Sequence, residues 1–314
     1  MLTLSIIIVN WNVKNYLENC IASLYNTVKN ISFEIIVVDN NSIDASVEMI
    51  KNKFSQVILI ENKENIGFAK ANNQAIKESK GEFILLLNPD TIVLKDSILK
   101  MYNFLKEHKE AGMVGPKIVD QEGRIRYECA RNYNTPFTQF CVLTSLYKRF
   151  PQSRIFGHYL MSYWDHNDMR EVNAITGACM MIRAGILDDI GLLFDEAFFM
   201  YGEDVDTCYR TKKKGWKIYF LPTAQIIHFW NKSAEQIPFK TLIEMHKAIE
   251  IFFKKQYGMK AVIRHRIMLI LVNVCIQLIA PFVYVFCSRT IKSKVKNIFM
   301  RSNAVLRWAL NLPK

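Results

Sequence analysis

Short apolar runs rich in Ile and Val alternate with helical patterns along the first ninety residues, and this alternation limits the possible folds more than any other feature. The runs are Leu4 to Val9, Ile35 to Val38, Val57 to Ile60 and Phe83 to Leu87. Apart from Ser5, each is continuously apolar, as expected of parallel strands covered on both faces. Helical patterns separate them, one from about Gly67 to Ser79. The order predicts a doubly wound α/β sheet with right-handed crossovers.

Polar residues stand where three of these runs end. Asn10 and Asp39 follow the first two, and Asp90 comes shortly after the fourth. In open α/β sheets, ligands bind beyond the carboxyl ends of the strands. The sequence has neither G-x-G-x-x-G nor G-x-x-x-x-G-K-[ST], so an NAD enzyme and a P-loop NTPase have no support, and phosphate groups bound here would need a metal. Ser42, just after the second run, is expected to cap the next helix.

The net charge of +12 comes from 41 Lys and Arg against 29 Asp and Glu, and it is unevenly distributed. Residues 1–238 hold 27 basic and 27 acidic side chains, whereas residues 239–314 hold 14 basic and 2 acidic ones. A nucleic-acid-binding domain is expected to carry its cations on the folded body. Because this body is neutral, we expect no nucleic acid among the partners, and the charge of the tail suits an anionic membrane surface.

The most apolar stretch of the sequence, Ile267 to Cys287, lies in this basic tail. Its 21 residues are about enough to cross a membrane. A single crossing from a cytosolic body would place seven Lys and Arg and no acid outside, against the positive-inside tendency. We therefore expect a segment that lies in the interface or re-enters, followed by an amphipathic stretch from Ile298 to Leu310. A buried helical hairpin that completes the core is the alternative.

Seven cysteines form no C-x-x-C pair and no spacing typical of metal sites. They are Cys20, Cys129, Cys141, Cys179, Cys208, Cys275 and Cys287. An odd number without such pairs favours a reduced, cytosolic compartment. The apolar run near the N-terminus, Leu4 to Val9, is too short for a signal peptide. We therefore expect the protein at the cytoplasmic face of the cell membrane, where the tail holds it peripherally, by a re-entrant segment or by a C-terminal anchor.

Seven motifs occur in order along the chain. They are SIIIVNWN at 5–12, VVDNNS at 37–42, ENIGFAKANNQAI at 64–76, LLLNPDT at 85–91, TGACMMIR at 176–183, FMYGEDVDTCYR at 199–210 and IIHFW at 226–230. With these motifs the sequence resembles the inverting family 2 glycosyltransferases, and most of all the branch that contains rhamnosyltransferases. The resemblance covers Ser5 to about Phe229 and implies the GT-A fold of nucleotide-diphospho-sugar transferases, built on a mostly parallel doubly wound sheet.

The resemblance and the tail together predict the domain organisation. Residues 1–238 are expected to form the catalytic domain, with a nucleotide-binding half at about 1–120. Residues at about 129–171 are aromatic and poorly periodic, and we expect them to form a variable lid or acceptor-facing insertion. Residues 239–314 are expected to form a basic, hydrophobic helical region that associates with the membrane.

The resemblance implies a nucleotide site at the strand ends. Its expected residues are Val9, Asn10, Trp11, Asp39, Asn72 and Asn88. A carboxylate at Asp39 can accept from a base N–H or a ribose hydroxyl, although a role in capping or turning the chain is the alternative. Trp11 is expected to stack near the base, with burial at the strand end as its alternative. Asn72 stands where many members of the family have arginine.

The triplet Asn88-Pro89-Asp90 corresponds to the family's D-x-D signature, which holds a divalent cation against the donor diphosphate. Asp90 and His228 are the expected ligands of Mn²⁺ or Mg²⁺, for which carboxylate and imidazole are suitable donors. Asn88 replaces the first carboxylate and is expected to contact the nucleotide instead. The alternatives are a simple turn at the triplet, since all three residue types favour turns, and a packing role for His228.

Carboxylates also cluster at the start of a predicted helix that follows Gly202. In the family the second residue of the Glu-Asp pair is the catalytic base, which implies that role for Asp204, while Glu203 shapes the acceptor pocket. Asp206 is expected to pair with Arg210 one turn later. Capping of the helix by these acids is the alternative.

The predicted function is that of a metal-dependent inverting glycosyltransferase. It is expected to move a sugar, rhamnose from dTDP-rhamnose, to a lipid-linked saccharide acceptor in cell-surface polysaccharide synthesis. Alternatives are a family member that uses a UDP-sugar donor and a non-catalytic, membrane-bound nucleotide-sugar-binding protein. A nucleotidyltransferase of the same fold is disfavoured, because the segment from Asn10 to Asn15 lacks the glycine- and arginine-rich phosphate loop of that class.

Overall fold

The computed structural model describes residues 2–230 and 232–311. The chain divides into two compact units. Met1–Tyr133 and His158–Ser233 form the first, called here the sheet unit, and Asn134–Gly157 and Ala234–Lys314 form the second, called the helical unit. The expected division was a single boundary after residue 238. In the structure the last segment of the helical unit begins at Ala234, and residues 134–157 of the expected insertion belong to the helical unit as well. The role of that insertion as a lid stays a prediction.

Eleven strands are found among the described residues, all in the sheet unit. They are β1 (Leu4–Asn10), β2 (Phe33–Asp39), β3 (Ile58–Glu61), β4 (Phe83–Leu87), β5 (Thr91–Val93), β6 (Ala111–Val119), β7 (Ala130–Arg131), β8 (Arg170–Glu171), β9 (Ala174–Ile175), β10 (Cys179–Arg183) and β11 (Lys217–His228). The main sheet has the order β3-β2-β1-β4-β10-β6-β11-β5, with β8 against β11, and β7 and β9 pair separately.

The helices alternate with these strands in the sheet unit and follow one another in the helical unit. They are α1 (Lys14–Thr27), α2 (Ser46–Lys53), α3 (Phe68–Glu78), α4 (Ser97–Glu107), α5 (Pro136–Leu143), α6 (Leu146–Arg149), α7 (Ile186–Ile190), α8 (Glu203–Lys213), α9 (Pro238–Tyr257), α10 (Met259–Phe286) and α11 (Arg289–Ala309). The predicted α/β fold class is therefore confirmed, with α5, α6 and α9 to α11 in the helical unit.

The sheet is parallel in its N-terminal part, as predicted, and mixed beyond it. Strands β3, β2, β1 and β4 are parallel, whereas β10 runs antiparallel to β4 and β6. Ile6 and Ile7 of β1 lie beside Leu85 and Leu86 of β4, and all four side chains are fully buried. Burial of each such side chain contributes about 1.5–3 kcal/mol, so these strands form the centre of the core.

The expected helix cap at Ser42 is wrong. Helix α2 begins at Ser46, after Ala45 in the left-handed conformation. The hydroxyl of Ser42 instead accepts from the backbone N–H of Asn12 (2.9 Å) and the amide of Asn10 (3.1 Å). The hydroxyl of a serine that follows a strand can accept from groups at the end of a neighbouring strand as well as from a helix N-terminus. The Ser42 hydroxyl accepts from groups at the end of β1 and just after it.

Three long helices dominate the helical unit. Helix α10 packs along α11 and also contacts α5 and α9. Leu269, Val305 and Ala309 form the buried centre of this packing. Within the part of the chain that the structure describes, α10 is the one helix long and apolar enough to cross a membrane, and little of its most apolar segment is buried.

Candidate active site

One edge of the main sheet collects the predicted site residues. The carboxyl ends of β1, β2 and β4 meet there because these strands are parallel. Strand β10 runs the opposite way, and its first residue, Cys179, pairs with Leu87 at the end of β4. The segment before β10 therefore reaches the same edge, where the N–H of Asn88 donates to the carbonyl of Ala178 (2.9 Å).

Asp39 organises the first part of this edge. Its Oδ2 accepts from the amide of Asn10 (2.7 Å) and its Oδ1 from the backbone N–H of Ser42 (2.8 Å). These bonds give Asp39 the turn role that was its alternative, while each carboxylate oxygen has a further lone pair for a ligand. Asn10 and Asp39 are buried, Val9 lies behind them in β1, and Trp11 is half-buried. The nucleotide-binding roles of these residues stay predictions.

A polar cavity of about 460 Å³ lies beside the Asp39 turn. Its lining residues are Asn12, Val13, Lys14, Asn15, Tyr16, Asp44 and Lys232. The sequence analysis did not single out Lys14 and Lys232, because a lone lysine near a strand end looks like any solvated side chain. Two cationic side chains on a polar cavity at the binding edge suit an anionic group.

Asp90 and His228 lie together next to this cavity. Pairing of β5 with β11 puts Thr91 opposite His228, so the preceding Asp90 reaches the imidazole. His228 Nε2 is 3.0 Å from Asp90 Oδ1, and both side chains are buried. Burial alone would raise the pKa of Asp90, but the hydrogen bond and charge of His228 outweigh it and lower that pKa. The N–H of Lys232 also donates to Asp90 Oδ2 (3.3 Å).

Asn88 adds a third possible metal ligand beside Asp90 and His228. Its Nδ2 is 3.5 Å from His228 Nε2, and its Oδ1 is buried without a hydrogen-bond partner among the described residues. Half a turn of the amide exchanges these two atoms. Carboxylate, imidazole and amide oxygen fit Mn²⁺ or Mg²⁺. The described residues contain no cluster of three His, Cys, Asp or Glu side chains, and the metal-binding roles of Asp90 and His228 stay predictions.

Asp204 lies in the first turn of α8 and is held from two sides. Its Oδ2 accepts from Nη2 of Arg131, in a short contact, and from the N–H of Gly177 (3.1 Å). Arg131 belongs to β7, and the pairing of β7 with β9 places it opposite Ala174, three residues before Gly177. Burial would lower the pKa of Arg131, but the Asp204 carboxylate raises it. The two side chains are thus a permanent buried ion pair.

Arg131 is the functional residue that the sequence analysis missed most clearly. It lies in the poorly periodic segment, and the two-residue strand that positions it has its partner far along the chain. No motif and no periodicity mark such a contact. The Asn88–Ala178 hydrogen bond and the Gly177–Asp204 hydrogen bond connect the two halves of the site through consecutive residues.

Glu203 differs from its neighbour Asp204 because its side chain forms no ion pair among the described residues. It is buried, and Oε2 finds no hydrogen-bond partner in the described part of the chain. Burial, followed by the negative charge of Asp204, raises the pKa of Glu203. Of the two carboxyls, Glu203 is therefore the one whose burial favours the protonated form, whereas Asp204 is the one held in an ion pair with Arg131.

Tyr201 comes just before α8 and interacts electrostatically with two carboxyl groups of the site, those of Glu203 and Asp90. Burial and the charges of Glu203 and Asp90 raise the pKa of Tyr201 to about 12. Its backbone is in the left-handed region (φ 68°), and Gly202 follows with φ 77°. Two consecutive positive φ angles turn the chain sharply into α8, which places the Glu-Asp pair at the binding edge.

The motif at 64–76 packs against the segment before α8. The N–H of Phe68 donates to the carbonyl of Phe199 (2.7 Å). Gly67 has φ +88°, and a Cβ there would be 2.6 Å from that carbonyl, so only glycine allows this approach. Asn72 is buried and donates to the carbonyl of Phe68 within α3 (2.8 Å). Its amide is thus used inside the helix, and its nucleotide contact stays a prediction.

The expected pairing of Asp206 with Arg210 is confirmed. Arg210 Nε donates to Asp206 Oδ2 (2.8 Å), and Asp206 is fully buried. The same guanidinium donates to the carbonyls of Ile190 and Leu192, which ties α8 to the end of α7. Asp206 is therefore a structural residue.

The family model described as glycosyl transferase family 2 matches residues 5–191, more than half of the chain. An N-acetylglucosaminyl-diphospho-decaprenol L-rhamnosyltransferase of Mycobacterium tuberculosis is 26% identical over 269 residues, which cover 81% of this chain and 85% of the relative. The low-salt glycan biosynthesis hexosyltransferase Agl10 of Haloferax volcanii is 27% identical over 247 residues, which cover 77% of this chain and 72% of the relative.

Two solved structures have the same fold. S. aureus TarS, residues 1–349, has a TM-score of 0.53 at 15% identity, and the match covers 98% of this chain and 90% of that one. GalNAc-T7, crystallised with UDP, GalNAc and Mn²⁺, has a TM-score of 0.54 at 18% identity, and the match covers 73% of this chain and 44% of that one. At these identities the likeness shows the fold, which is the GT-A fold predicted from the sequence.

Proposed function

Since this chain belongs to glycosyl transferase family 2, we propose that it is an inverting enzyme that moves a sugar from a nucleotide-diphosphate donor to a lipid-linked saccharide. The observation that carries the proposal is the unequal state of the two adjacent carboxyls. Asp204 is an anion held by Arg131 and Gly177, whereas Glu203 is buried with a raised pKa. A general base must be deprotonated and fixed in direction, and Asp204 meets both conditions.

The reaction assigns a role to each carboxyl. The acceptor hydroxyl oxygen attacks the anomeric carbon of the donor, its proton passes to Asp204, and the bond to the diphosphate breaks with its electron pair on the leaving group. Attack opposite the leaving group inverts the anomeric carbon. Protonated Glu203 can donate a hydrogen bond to a sugar hydroxyl without competing for the acceptor proton.

The donor diphosphate is placed at the opposite half of the site. Asp90, His228 and Asn88 are the residues that would hold Mn²⁺ or Mg²⁺. Such a cation, when bound, supplies positive charge beside the departing diphosphate. Lys14 and Lys232 line the adjacent polar cavity and add positive charge there. The order of residues thus runs from the nucleotide at Asp39, through the diphosphate at Asp90, to the acceptor at Asp204.

For the substrates we propose dTDP-rhamnose as donor and a prenyl-diphosphate-linked saccharide as acceptor, in the synthesis of a surface polysaccharide. The M. tuberculosis relative, named as an L-rhamnosyltransferase on a diphospho-decaprenol acceptor, supports this choice. A UDP-sugar is the alternative donor, supported by the UDP in the GalNAc-T7 structure. A lipid-linked acceptor places the enzyme at the membrane, on its cytoplasmic face, where nucleotide sugars are made.

Sugar transfer in a defined mixture tests the proposal. The purified protein is incubated with labelled dTDP-rhamnose or UDP-sugars, Mn²⁺ and a short prenyl-diphosphate saccharide, and labelled lipid is measured. We expect transfer from one donor and a loss of about 10²–10⁴-fold for Asp204→Asn with nucleotide binding retained. Asp188→Asn, the same change at an exposed position of α7, is the matched control. A fully active Asp204→Asn variant would rule out the assignment of the base.

A further inference from the structure

Helix α10 carries an exposed apolar stripe along most of its length. Large apolar side chains recur there every three or four residues, at Ile267, Leu271, Val274, Leu278, Phe282 and Val285. The opposite face holds Leu269, Asn273 and Ala280, which are buried. A stripe with this spacing occupies one side of an α-helix. Towards the end of α10 the exposed apolar surface is wider, because Ile279, Val283, Tyr284 and Phe286 are exposed as well. Phe282 is 70% exposed, so within the described residues the stripe has no cover.

The next helix runs back along α10. Gln277 of α10 donates to the carbonyl of Phe299 (2.9 Å), and the hydroxyl of Ser302 donates to the carbonyl of Asn273 (3.1 Å). As the residue number rises in one helix it falls in the other, so α10 and α11 form an antiparallel hairpin. Lys292 of α11 reaches the apolar end of α10, with its Nζ 5.3 Å from the centre of the Tyr284 ring.

This hairpin decides whether α10 can cross a membrane. Two helices packed along each other enter a bilayer together or not at all. Helix α10 passes the length and hydropathy criteria for a span, but α11 does not. Helix α11 carries lysine and arginine along its length, at Lys292, Lys294, Lys296, Arg301 and Arg307. Charged side chains inside the hydrocarbon layer are costly, so α11 stays outside it and keeps α10 outside as well.

The charge of the region identifies the surface that covers the stripe. Residues 239–314 hold 14 basic and 2 acidic side chains, and both acids, Glu244 and Glu250, belong to α9. Glu250 is paired with Arg266 through both its oxygens (2.8 and 2.9 Å). An apolar stripe in a region with this excess of basic over acidic side chains matches the acyl chains and anionic headgroups of one lipid leaflet.

We propose that the α10–α11 hairpin docks in the plane of an anionic lipid leaflet, with the α10 stripe in the acyl chains, and does not cross the bilayer. This inference rests on the proposed function, which places the acceptor in the membrane. It adds that both ends of the hairpin remain on the same side of the membrane as the active site. The enzyme is then a one-sided membrane protein that meets its lipid-linked acceptor at the headgroup level.

Flotation with vesicles tests the docking surface. The full-length protein is mixed with phosphatidylcholine vesicles with and without phosphatidylglycerol, and the bound fraction is measured. We expect binding to the anionic vesicles and a loss of at least about tenfold for Leu278→Asp/Phe282→Asp, because the acyl contacts of two large side chains are lost. Asn297→Asp/Asn303→Asp, the same two added charges on exposed positions of α11, is the control and should bind like the wild type. Equal binding of all three proteins, or no binding, overturns the proposal.

Labelling from outside tests the topology. Ser293→Cys, exposed at the start of α11, is made in a chain whose Cys275 and Cys287 are changed to Ser, since the remaining cysteines are buried. A membrane-impermeant maleimide added to sealed vesicles with bound protein should label this cysteine as fully as it labels Lys63→Cys on the sheet unit. Labelling of Ser293→Cys that requires detergent would show a crossing and overturn the proposal.

Two further measurements separate this inference from the proposed function and from another occupant. Transfer to a water-soluble acceptor should be unchanged in Leu278→Asp/Phe282→Asp, so a failure of all transfer with intact vesicle binding counts against the proposed function alone. Light scattering without lipid should give the same mass for wild type and variant. A wild-type dimer that the variant lacks would assign the stripe to a second copy of the chain and overturn the lipid assignment.

Discussion

Two buried carboxylates of the sheet unit, Asp90 and Asp204, are paired with different basic side chains, and the difference fits the roles proposed for them. Asp90 contacts His228, whose imidazole nitrogen is of a type that binds metals. Asp204 contacts Arg131, whose guanidinium stays charged at every working pH and has no lone pair for a metal. The partner therefore leaves Asp90 available to a cation and fixes Asp204 as an anion.

The surroundings of the two pairs reinforce the contrast. Beside Asp90 the amide oxygen of Asn88 is buried and has no hydrogen-bond partner among the described residues, so it is available to the proposed cation. Beside Asp204 the third group is the backbone N–H of Gly177, which donates to the carboxylate. The Asp90–His228 pair, called here the open pair, thus leaves a polar atom for the proposed cation. The Asp204–Arg131 pair, called here the closed pair, has its partners within the protein, as the proposed base requires.

Arg131→Met should give the largest effect, since it turns the closed pair into a lone buried carboxylate. Loss of one partner from a buried ion pair costs about 3–5 kcal/mol of folding free energy. We also expect transfer to fall at least about 10²-fold through loss of the direction of Asp204. Because an unpaired buried carboxylate holds its proton more tightly, the acid side of the pH–rate profile should move to higher pH.

Urea unfolding and initial rates across pH measure these effects of Arg131→Met. Arg124→Met is the control, because Arg124 also pairs with a carboxylate, Asp120, but has a side chain that is 73% exposed. It should change neither stability nor the pH profile appreciably. An Arg131→Met enzyme whose rate falls without any shift of the profile would show that Arg131 only supports the fold.

Asp90→Asn should affect the open pair in a different way. We expect its Mn²⁺-dependent binding of the nucleotide diphosphate to weaken at least about tenfold, because a formal charge is removed from the donor set. Asp204→Asn should keep that binding while it loses transfer. Calorimetry with a nucleotide diphosphate, with and without Mn²⁺, separates the two variants. Equal metal dependence in Asp90→Asn and Asp204→Asn would remove the distinction between the pairs.

Gly67→Ala tests whether the closed pair depends on the packing that precedes α8. The new Cβ would meet the carbonyl of Phe199 at 2.6 Å in a backbone of φ +88°. We expect a loss of about 3 kcal/mol in unfolding free energy, from the clash and the left-handed conformation together. Gly123→Ala has a similar φ of +77° with nothing within 4 Å, so it isolates the conformational part and should cost less. Equal losses would refute the close approach.

The sequence predicted the open pair better than the closed one, for a physical reason. The strands, their order and Asp90 at a strand end follow from continuous apolar runs, and the family resemblance predicted His228 beside Asp90. Arg131 was missed because β7 and β9 are two residues long and leave no periodic signal. Ser42 was misplaced as a helix cap because a hydroxyl near a strand end has several backbone partners within reach, and the sequence does not rank them.

Glu203→Gln should have the smallest effect, and its sign sharpens the contrast between the adjacent carboxyls. The folded protein raises the pKa of Glu203 through burial and the charge of Asp204. A carboxyl with a raised pKa favours the folded state fully below its unfolded pKa, and this contribution is lost as the pH rises through the folded pKa. Glutamine cannot ionise, so the Glu203→Gln protein does not lose this stability as the pH rises.

We therefore expect Glu203→Gln to be more stable than the wild type by about 1 kcal/mol at alkaline pH, with the gain disappearing in mild acid. Thermal unfolding at about pH 5 and about pH 9 measures the difference. Glu107→Gln, at an exposed position of α4, should show no such pH dependence. If Glu203→Gln instead loses stability as the pH rises, Glu203 is the charged member of the pair, and the base must be reassigned from Asp204 to Glu203.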